Sequence, residues 1–365
     1  MNVLVDIGHP AHVHLMRGCI KELQSHGHIV IVTAKDVPII KHLLDFYQID
    51  YIIVGKKGKS LASKVMRQLF FNLKIWNVAI GNHIDIATGT SMSIPIVSKF
   101  CKMKSINMDD DDDEVQPIAV KYSHPFSDVR LTPKALLEHR KSTHALFYDG
   151  THELAYLHPN HFTPNPTVLK KAELKETDRF FVLRLVAFNA YHDVGENGIS
   201  LENQRRLIEL LKPHGRIIIT SEKQLNAEFE PYRLPVPPED IHSLMAYCSL
   251  FVGDSQTMTS EAAILGVPAM KCNTFAGRLS VPNELEYQYG LCYAYHPNDF
   301  EKMYDHVKLL LERDPEDIRS EWRVKRERFI NEHVDVTAFF TWFIENYPES
   351  REIMRKNPDY QWNFK

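Results

Sequence analysis

The chain has 365 residues, which exceeds one typical domain and fits two. A hydrophobic fraction of 44% and a charged fraction of 25% are typical of globular proteins, and a net charge of −4 argues against a nucleic-acid binder. Five scattered cysteines without a Cys-x-x-Cys pair, a strand almost at Met1 and the lack of any apolar run of transmembrane length predict a cytoplasmic protein with reduced thiols.

The first part of the chain alternates short apolar segments with helical ones. We predict helices at residues 15–25, 37–47 and 91–100, and strands at residues 2–7, 28–33, 51–54, 85–88, 105–108 and 128–132. This alternation predicts a parallel sheet with right-handed crossovers. The segment after the first strand lacks a G-x-G-x-x-G pattern, which argues against a dinucleotide-dependent oxidoreductase.

Three histidines follow the first predicted strand. His9, His12 and His14 lie in residues 8–14, predicted as a loop at the carboxyl edge of the sheet, where open α/β folds bind ligands. A metal site needs three or four ligands of fitting geometry, and no metal-binding pattern accompanies these histidines. We therefore expect no metal, and we interpret them as acid/base groups or as donors to a sugar or phosphate, with at least one bonded to the loop backbone.

An acidic run begins at the end of a later strand. Asp109 follows the predicted strand 105–108 and opens the run at residues 109–114, the rest of which we interpret as a solvated loop. Because Asp109 and His12 follow strands of one sheet, we expect them at the same edge. His12 is the preferred base, since a neutral imidazole accepts a proton near pH 7; the acidic neighbours of Asp109 are expected to raise its pKa, which keeps it as the alternative.

The segment between Lys56 and Lys74 is basic and also amphipathic. Five apolar residues fall on one face of a predicted helix: Leu61, Val65, Leu69, Phe70 and Leu73. One interpretation is a core helix with a solvated basic face. The other is a surface that rests on anionic lipid or on a lipid-linked acceptor, which makes peripheral membrane contact a hypothesis.

A change of composition at residues 148–166, rich in proline and histidine, marks the predicted boundary between domains. We predict domains at residues 1–155 and 156–345, followed by a helical tail at 346–365. The second domain repeats the α/β pattern, with strands at 179–187, 216–220, 249–252 and 267–270.

The most informative stretch is residues 247–272. An apolar strand leads into the turn Gly253-Asp254-Ser255-Gln256-Thr257, and a helix follows at 258–265, with Ser255 or Thr257 as its N-cap and Gly266 at its end. Such a turn leaves backbone N–H groups and a positive helix end free for an anion. Glu261, one turn into the helix, is expected to be exposed and within reach of a ribose. The alternative is an ordinary strand–turn–helix.

Other polar residues close the neighbouring predicted strands. Arg184 interrupts an apolar strand and either binds a diphosphate or pairs with a helix. Further candidates to line the same site are Asn189, His192, Ser221 and Glu222.

The segment GDSQTMTSEAAILGVP resembles the nucleotide-sugar segment of non-hydrolysing UDP-GlcNAc 2-epimerases, in which small residues contact the diphosphate and the last Glu holds the ribose. Ser255 and Glu261 match; Gln256 and Thr257 replace a glycine pair. With HPAHVHL and ELAYLHP, the chain is similar to a domain-of-unknown-function family of GT-B-like proteins, related also to MurG-type glycosyltransferases. The resemblance implies two Rossmann-like domains facing across a cleft, with a C-terminal helix that crosses back to the first domain.

Two departures from the epimerase pattern bear on the activity. Thr90 stands where the epimerases have a catalytic Asp, and LVAFNAYHDVGEN replaces their HRREN-like motif. We therefore expect a glycosyltransferase of surface-polysaccharide or glycolipid biosynthesis that uses a UDP-linked donor and a saccharide or lipid-linked acceptor, without cofactor or metal. The alternatives are a UDP-sugar 2-epimerase or hydrolase, or a non-catalytic nucleotide-sugar-binding protein.

Overall fold

A computed structural model of the chain describes residues 1–56, 61–140, 142–185, 197–221 and 225–365, with the backbone alone at 61–65. The described chain divides into two compact units. Unit 1 comprises Met1–His161 together with His333–Lys365, and unit 2 comprises Phe162–Glu332. Both are parallel α/β units, as the sequence predicted.

Unit 1 is built on a seven-stranded parallel sheet with the order β3-β2-β1-β4-β5-β6-β7. Its strands are β1 (Asn2–Ile7), β2 (Ile29–Lys35), β3 (Ile52–Gly55), β4 (Ile86–Gly89), β5 (Lys104–Met108), β6 (Val129–Pro133) and β7 (Ala145–Tyr148). Its helices are α1 (Pro10–Ser25), α2 (Pro38–Phe46), α3 (Leu61–Gly81), α4 (Ser93–Ser98), α5 (Pro117–Tyr122) and α6 (Leu154–Leu157).

The order of the strands changes direction between β1 and β4. From β1 the chain moves outward to β2 and β3, then returns to β4 on the other side of β1. At such a switch point the connections leave the sheet in opposite directions, and their divergence opens a crevice at the carboxyl ends of the strands. The segments that follow β1 and β4 therefore border the predicted ligand-binding edge of unit 1.

Helix α1 begins at Pro10, earlier than the sequence predicted. Most of residues 8–14, predicted as a loop, are therefore helical. His9 is the N-cap, and its Nδ1 accepts a hydrogen bond from the Ala11 N–H at 3.2 Å. Pro10 follows at the first helical position, where its fixed φ and missing N–H cost nothing. His12 and His14 consequently lie in the first turns of α1, on different faces.

The buried face of α3 differs from the one that the core-helix interpretation requires. Phe71, Ile75 and Ala79 are buried against Leu4 and Val54 of the sheet. Three side chains of the predicted apolar face are exposed, Leu69 by 56%, Phe70 by 50% and Leu73 by 61%, while those of Leu61 and Val65 lie outside the described residues.

The C-terminal segment returns to unit 1 at His333, earlier than the predicted tail at 346. It contains α14 (Val336–Glu345) and α15 (Glu349–Lys356). Helix α14 buries aromatic residues in unit 1, where the Phe340 ring meets the Tyr148 ring edge-on at 5.2 Å, and Thr337 Oγ1 donates to the Ala155 carbonyl at 2.6 Å. These buried contacts explain why the return begins before the predicted boundary.

Unit 2 is built on a five-stranded parallel sheet with the order β12-β11-β10-β8-β9, which has its own switch point between β8 and β10. Its strands are β8 (Phe180–Leu185), β9 (Arg216–Ser221), β10 (Leu250–Gly253), β11 (Ala269–Cys272) and β12 (Cys292–Tyr295). Its helices are α7 (Thr167–Lys171), α8 (Leu201–Leu211), α9 (Ile241–Tyr247), α10 (Gln256–Ile264), α11 (Ser280–Asn283), α12 (Phe300–Glu312) and α13 (Pro315–Asn331).

Within the part of the chain that the structure describes, none of these helices combines the length and the hydropathy needed to cross a membrane.

Candidate functional site

The switch point of unit 2 brings the end of β10 beside β8. Gly253, the last residue of β10, is paired in register with Arg184. A Cβ at Gly253 would lie only 2.7 Å from the Arg184 carbonyl oxygen, so only glycine allows this close approach. The chain turns here and starts α10 at Gln256, which puts the N-terminus of α10 at the carboxyl edge of the sheet.

The turn before α10 is fixed by hydrogen bonds. Ser255 is the N-cap, as predicted, and its Oγ accepts a bond from the Met258 N–H at 3.3 Å. The Asn273 amide donates to the Asp254 carbonyl at 2.8 Å, and the Thr259 hydroxyl donates to the Ser255 carbonyl at 2.6 Å. The first N–H groups of a helix have no partner within it, and those of Gln256 and Thr257 meet no acceptor among the described residues, so they can bind an anion.

A buried lysine stands behind the first residue of α10. Lys271 of β11 is only 2% exposed, and its ammonium group donates to Oε1 of Gln256. Because an ammonium group only donates, the Gln256 amide oxygen must face the lysine and the NH₂ group must face away. Nε2 of Gln256 is buried and has no acceptor among the described residues. This arrangement adds one oriented donor to the end of α10.

Burial lowers the pKa of Lys271 to about 8, against the opposing effect of Cys292 and Glu286. The Lys271 side chain therefore remains mostly protonated at pH 7. Its positive charge lies at the N-terminus of α10, which is also the positive end of the helix dipole. Lys271 was not predicted from the sequence. It could have been, because it is a charged residue inside the apolar strand AMKC, and Arg184 was selected for the same reason.

Arg184 lies in β8 beside this turn. Its Nη1 donates to Thr220 Oγ1 of β9 at 3.2 Å, and the next pair in register is Leu185 with Ser221 at the end of β9. Arg184 and Ser221 thus share the carboxyl edge with Ser255. The three other candidates for this edge, Asn189, His192 and Glu222, lie outside the described residues.

Glu261 is buried, which corrects the expectation that it is exposed. It is only 4% exposed, and its Oε1 accepts a hydrogen bond at 3.0 Å from Nε2 of His242 at the start of α9. The ring of Phe162 meets the His242 ring edge-on at 6.3 Å. Replacing Glu261 therefore breaks a buried polar pair, which is expected to cost stability.

At the switch point of unit 1, His12 of α1 meets Thr90, which follows β4. The Thr90 hydroxyl oxygen lies 2.8 Å from both Nδ1 and Nε2 of His12, and Nδ1 accepts the Gly8 N–H at 3.3 Å. Sequence reasoning noted Thr90 only as the replacement of an aspartate and did not predict this pairing. Because β1 and β4 are neighbours, their following segments bring the two side chains together.

The other two histidines of the segment do not join His12. His9 caps α1 through its Nδ1. His14 is 6% exposed and packs against the rings of Tyr47 and Tyr156, with centroid distances of 6.0 and 5.5 Å. Its burial on another face of α1 argues against the catalytic role predicted for His14, whereas His12 stays at the sheet edge.

Asp109 is the centre of a buried ion-pair network. Its carboxylate accepts hydrogen bonds from Arg130, from Arg140 Nη1 at 2.9 Å and from Gln116 Nε2 at 2.8 Å, and His124 Nε2 lies 3.3 Å away. Burial alone would raise the pKa of Asp109, but Arg140 and Arg130 outweigh it and lower the pKa to about 2. The expected upward shift is therefore wrong, and the geometry favours a structural role over that of a base.

The remainder of the acidic run is also less solvated than expected. Asp112 is 5% exposed, and an Asp110 carboxylate oxygen lies 3.0 Å from His152 Nδ1. Among the residues that the structure describes, no three His, Cys, Asp or Glu side chains are grouped to hold a metal ion. Metal independence stays a prediction.

A protein-family model described as "Protein of unknown function (DUF354)" matches residues 1–321. The chain belongs to the DUF354 family. This membership confirms the family resemblance predicted from HPAHVHL, ELAYLHP and the residues of α10.

Comparison with solved structures shows the fold. A "putative UDP-N-acetylglucosamine 2-epimerase" from Listeria monocytogenes superimposes with a TM-score of 0.69 at 13% identity, over 95% of this chain and 96% of that one. The UDP-GlcNAc 2-epimerase of Methanocaldococcus jannaschii, in complex with UDP-GlcNAc and UDP, gives 0.62 at 13% over 90% and 99%. The "Glycotransferase of kitacinnamycin" gives 0.57 at 11% over 94% and 98%. This DUF354 chain therefore has the GT-B fold.

Proposed function

We propose that this DUF354 protein is a glycosyltransferase that takes its sugar from a nucleoside diphosphate, with UDP as the preferred nucleotide. The observation that carries the proposal is the end of α10, where Ser255, the oriented amide of Gln256 and the buried cation Lys271 gather at the switch point of unit 2. A diphosphate supplies the negative charge that this donor-rich, positively charged end lacks.

The donor is held by groups of unit 2 in this proposal. The diphosphate accepts hydrogen bonds from the first backbone N–H groups of α10 and from Gln256 Nε2, with Arg184 at the adjacent strand end. Glu261 binds the ribose hydroxyls, and its partner His242 keeps the carboxylate in place. No metal is needed, because the helix end and the two cations offset the charge of the phosphates.

The reaction is the attack of an acceptor hydroxyl on the anomeric carbon as the nucleoside diphosphate leaves. His12 of unit 1 accepts the hydroxyl proton in this proposal, and Thr90 orients the imidazole ring. Removal of the proton is needed because a neutral hydroxyl is a weak nucleophile. Asp109 is not assigned the role, since the two arginines hold its pKa at about 2.

An anionic membrane surface carrying a lipid-linked acceptor fits the exposed apolar face of α3, which consists of Met66, Leu69, Phe70, Leu73 and Ile80. Arg67 and Lys74 lie next to residues of this face in the sequence, and no acidic residue occurs between Lys56 and Ile84. An apolar face with basic neighbours is the pattern of helices that lie in a membrane interface. A second copy of the chain fits poorly, because it would bring two basic segments together.

A second candidate is a 2-epimerase, because several of the similar structures carry that name. Thr90 in place of the catalytic aspartate argues against it. The deciding experiment follows release of UDP from UDP-sugars by chromatography, with and without saccharide and polyprenyl-phosphate acceptors. A transferase releases UDP only when an acceptor is present. A new UDP-sugar isomer without acceptor overturns the proposal in favour of the epimerase, UDP release by water indicates a hydrolase, and binding without turnover indicates a sensor.

A further inference from the structure

A pocket of about 180 Å³ lies at the amino edge of the unit 2 sheet, away from the end of α10 that is proposed to bind the donor. Ser249 precedes β10, Pro268 precedes β11 and Arg179 precedes β8, so three neighbouring strands begin at its wall. Gly266, just past the opposite end of α10, and the first turns of α13 complete the lining. Since the strands are parallel, the amino edge and the carboxyl edge lie at opposite ends of the strands.

The residues that line this pocket include no aspartate or glutamate. Four guanidinium groups line it, those of Arg179, Arg319, Arg323 and Arg326. Arg319 pairs with the exposed Glu316. Arg326 is half-buried and donates from Nε to the Ile264 carbonyl at 2.8 Å, at the end of α10. Among the described residues, no carboxylate pairs with Arg179 or Arg323.

Arg179 has a buried N–H donor without a hydrogen-bond acceptor among the described residues. That donor is Nε, and the guanidinium group lies over the Phe181 ring at 5.5 Å. A buried N–H donor without an acceptor costs free energy unless an anion or another acceptor compensates it. In a concave pocket the fields of several guanidinium groups add, which strengthens the attraction for an anion.

We propose that this pocket, named here the arginine pocket, binds a phosphate group, either as free inorganic phosphate or as the phosphoryl group of a small metabolite. Guanidinium groups match the oxygens of phosphate with paired N–H donors, so several of them around one pocket select a compact oxyanion over chloride. The arginine pocket lies at the opposite sheet edge from the donor site, and the inference does not rest on the proposed function.

The test is calorimetric titration of the full chain with inorganic phosphate and with glycerol 3-phosphate, at constant ionic strength against chloride. We expect saturable binding of one or both probes, and the tighter probe identifies the source of the group. Arg323→Glu reverses a charge at the exposed rim, so folding is retained and affinity falls at least tenfold. Arg179→Gln is expected to weaken binding as well.

Arg205→Gln is the matched control, because Arg205 is an exposed arginine of unit 2 that pairs with Glu228 outside the arginine pocket. The control should bind phosphate as the wild type does. Absence of saturable binding, or equal affinities of the Arg323→Glu and Arg205→Gln variants, overturns the proposal. Circular dichroism of each variant separates loss of binding from loss of the fold.

Discussion

At the scale of single residues, the proposed donor site rests on the pairing of Gln256 with Lys271. The lysine fixes the orientation of the amide, and the amide in turn provides the buried ammonium group with an acceptor. The epimerase pattern has a glycine pair where this chain has Gln256 and Thr257, so the proposed contact of the Gln256 amide with a diphosphate has no counterpart in that pattern.

Gln256→Glu should weaken UDP binding at least tenfold, because it puts a carboxylate where the phosphates are proposed to lie. The new carboxylate forms an ion pair with Lys271, so the melting temperature should not fall. Calorimetric titration with UDP measures the effect.

The matched control for this change is Asn203→Asp, which adds the same charge in the first turn of α8, next to the Ser200 cap. It should bind UDP as the wild type does. If Gln256→Glu and Asn203→Asp bind UDP equally well, Gln256 does not face the diphosphate.

His12→Ala should lower transferase turnover by about 10²–10⁴, the usual contribution of a general base, with little change in UDP affinity. His9→Asn is the control, because asparagine still caps α1 and the neighbouring imidazole is removed. The two variants are compared by initial rates at saturating donor. Near-normal turnover of His12→Ala would place the base elsewhere in the chain.

The sequence predicted some of these residues and missed others for a physical reason. Ser255 as a helix cap and the edge position of His12 follow from local pattern, and both are confirmed. Lys271 and His242 were missed because each meets its partner, Gln256 or Glu261, across a distance of 15 or 19 positions in the chain. Contacts of this kind depend on the packing of strands and helices, which a single sequence does not specify.

At the scale of elements, α3 shows the limit of periodicity. Apolar residues lie on nearly all sides of this helix, so their spacing did not determine which face packs against the sheet. The structure buries Phe71, Ile75 and Ala79 and exposes the apolar face defined above. Similarly, the start of α1 was missed because histidine is an uncommon helix cap.

Leu73→Glu should reduce sedimentation of the protein with anionic vesicles, since it puts a carboxylate into the exposed apolar face of α3. Wild-type protein should sediment with phosphatidylglycerol vesicles, should be released by salt, and should ignore neutral vesicles. Leu309→Glu on α12 of unit 2 is the control, because Leu309 is also 61% exposed. Equal sedimentation of the two variants, or binding to neutral vesicles alone, would refute the membrane contact.

At the scale of the whole molecule, the two α/β units were predictable because strands and helices alternate clearly along the chain. The point of return to unit 1 was not, because the apolar composition of α14 predicts a buried helix without indicating which unit buries it. Asp335 marks that point. It caps α14 through a bond from the Ala338 N–H at 3.0 Å, and its two carboxylate oxygens lie 2.6 and 2.7 Å from His161 Nε2.

Asp335→Asn should destabilise the attachment of α14 by about 2 kcal/mol, the value of a charged hydrogen bond, since asparagine keeps the cap and loses the charge. Burial raises the pKa of Asp335, but His161 and the Ala338 N–H outweigh it and lower the pKa to about 2. The pKa of His161 is raised, first by Asp335. Hydrogen exchange of residues 336–345 measures the effect, with Asp359→Asn as the exposed control.

The pH dependence follows from the direction of the two shifts. The contribution of Asp335 is complete above the unfolded pKa of about 3.9 and is lost as the pH falls toward 2. The contribution of His161 is complete below about 6.5 and is lost as the pH rises through its raised pKa. The difference between wild type and Asp335→Asn should therefore be largest between about pH 4 and 6.5; a difference that is constant with pH would contradict the ion pair.

The contact between His161 and Asp335 also bears on how the two units are connected along the chain. Unit 1 is discontinuous in sequence, and the two ends at which the chain leaves it and re-enters it are tied together by His161 and Asp335. Unit 2 is thus an insertion of residues 162–332 between two points that already touch. A short glycine–serine bridge spans such a gap at little entropic cost. We therefore expect that unit 1 can be expressed alone with such a bridge in place of unit 2. We also expect that unit 2, residues 162–332, can be replaced by the corresponding segment of a relative.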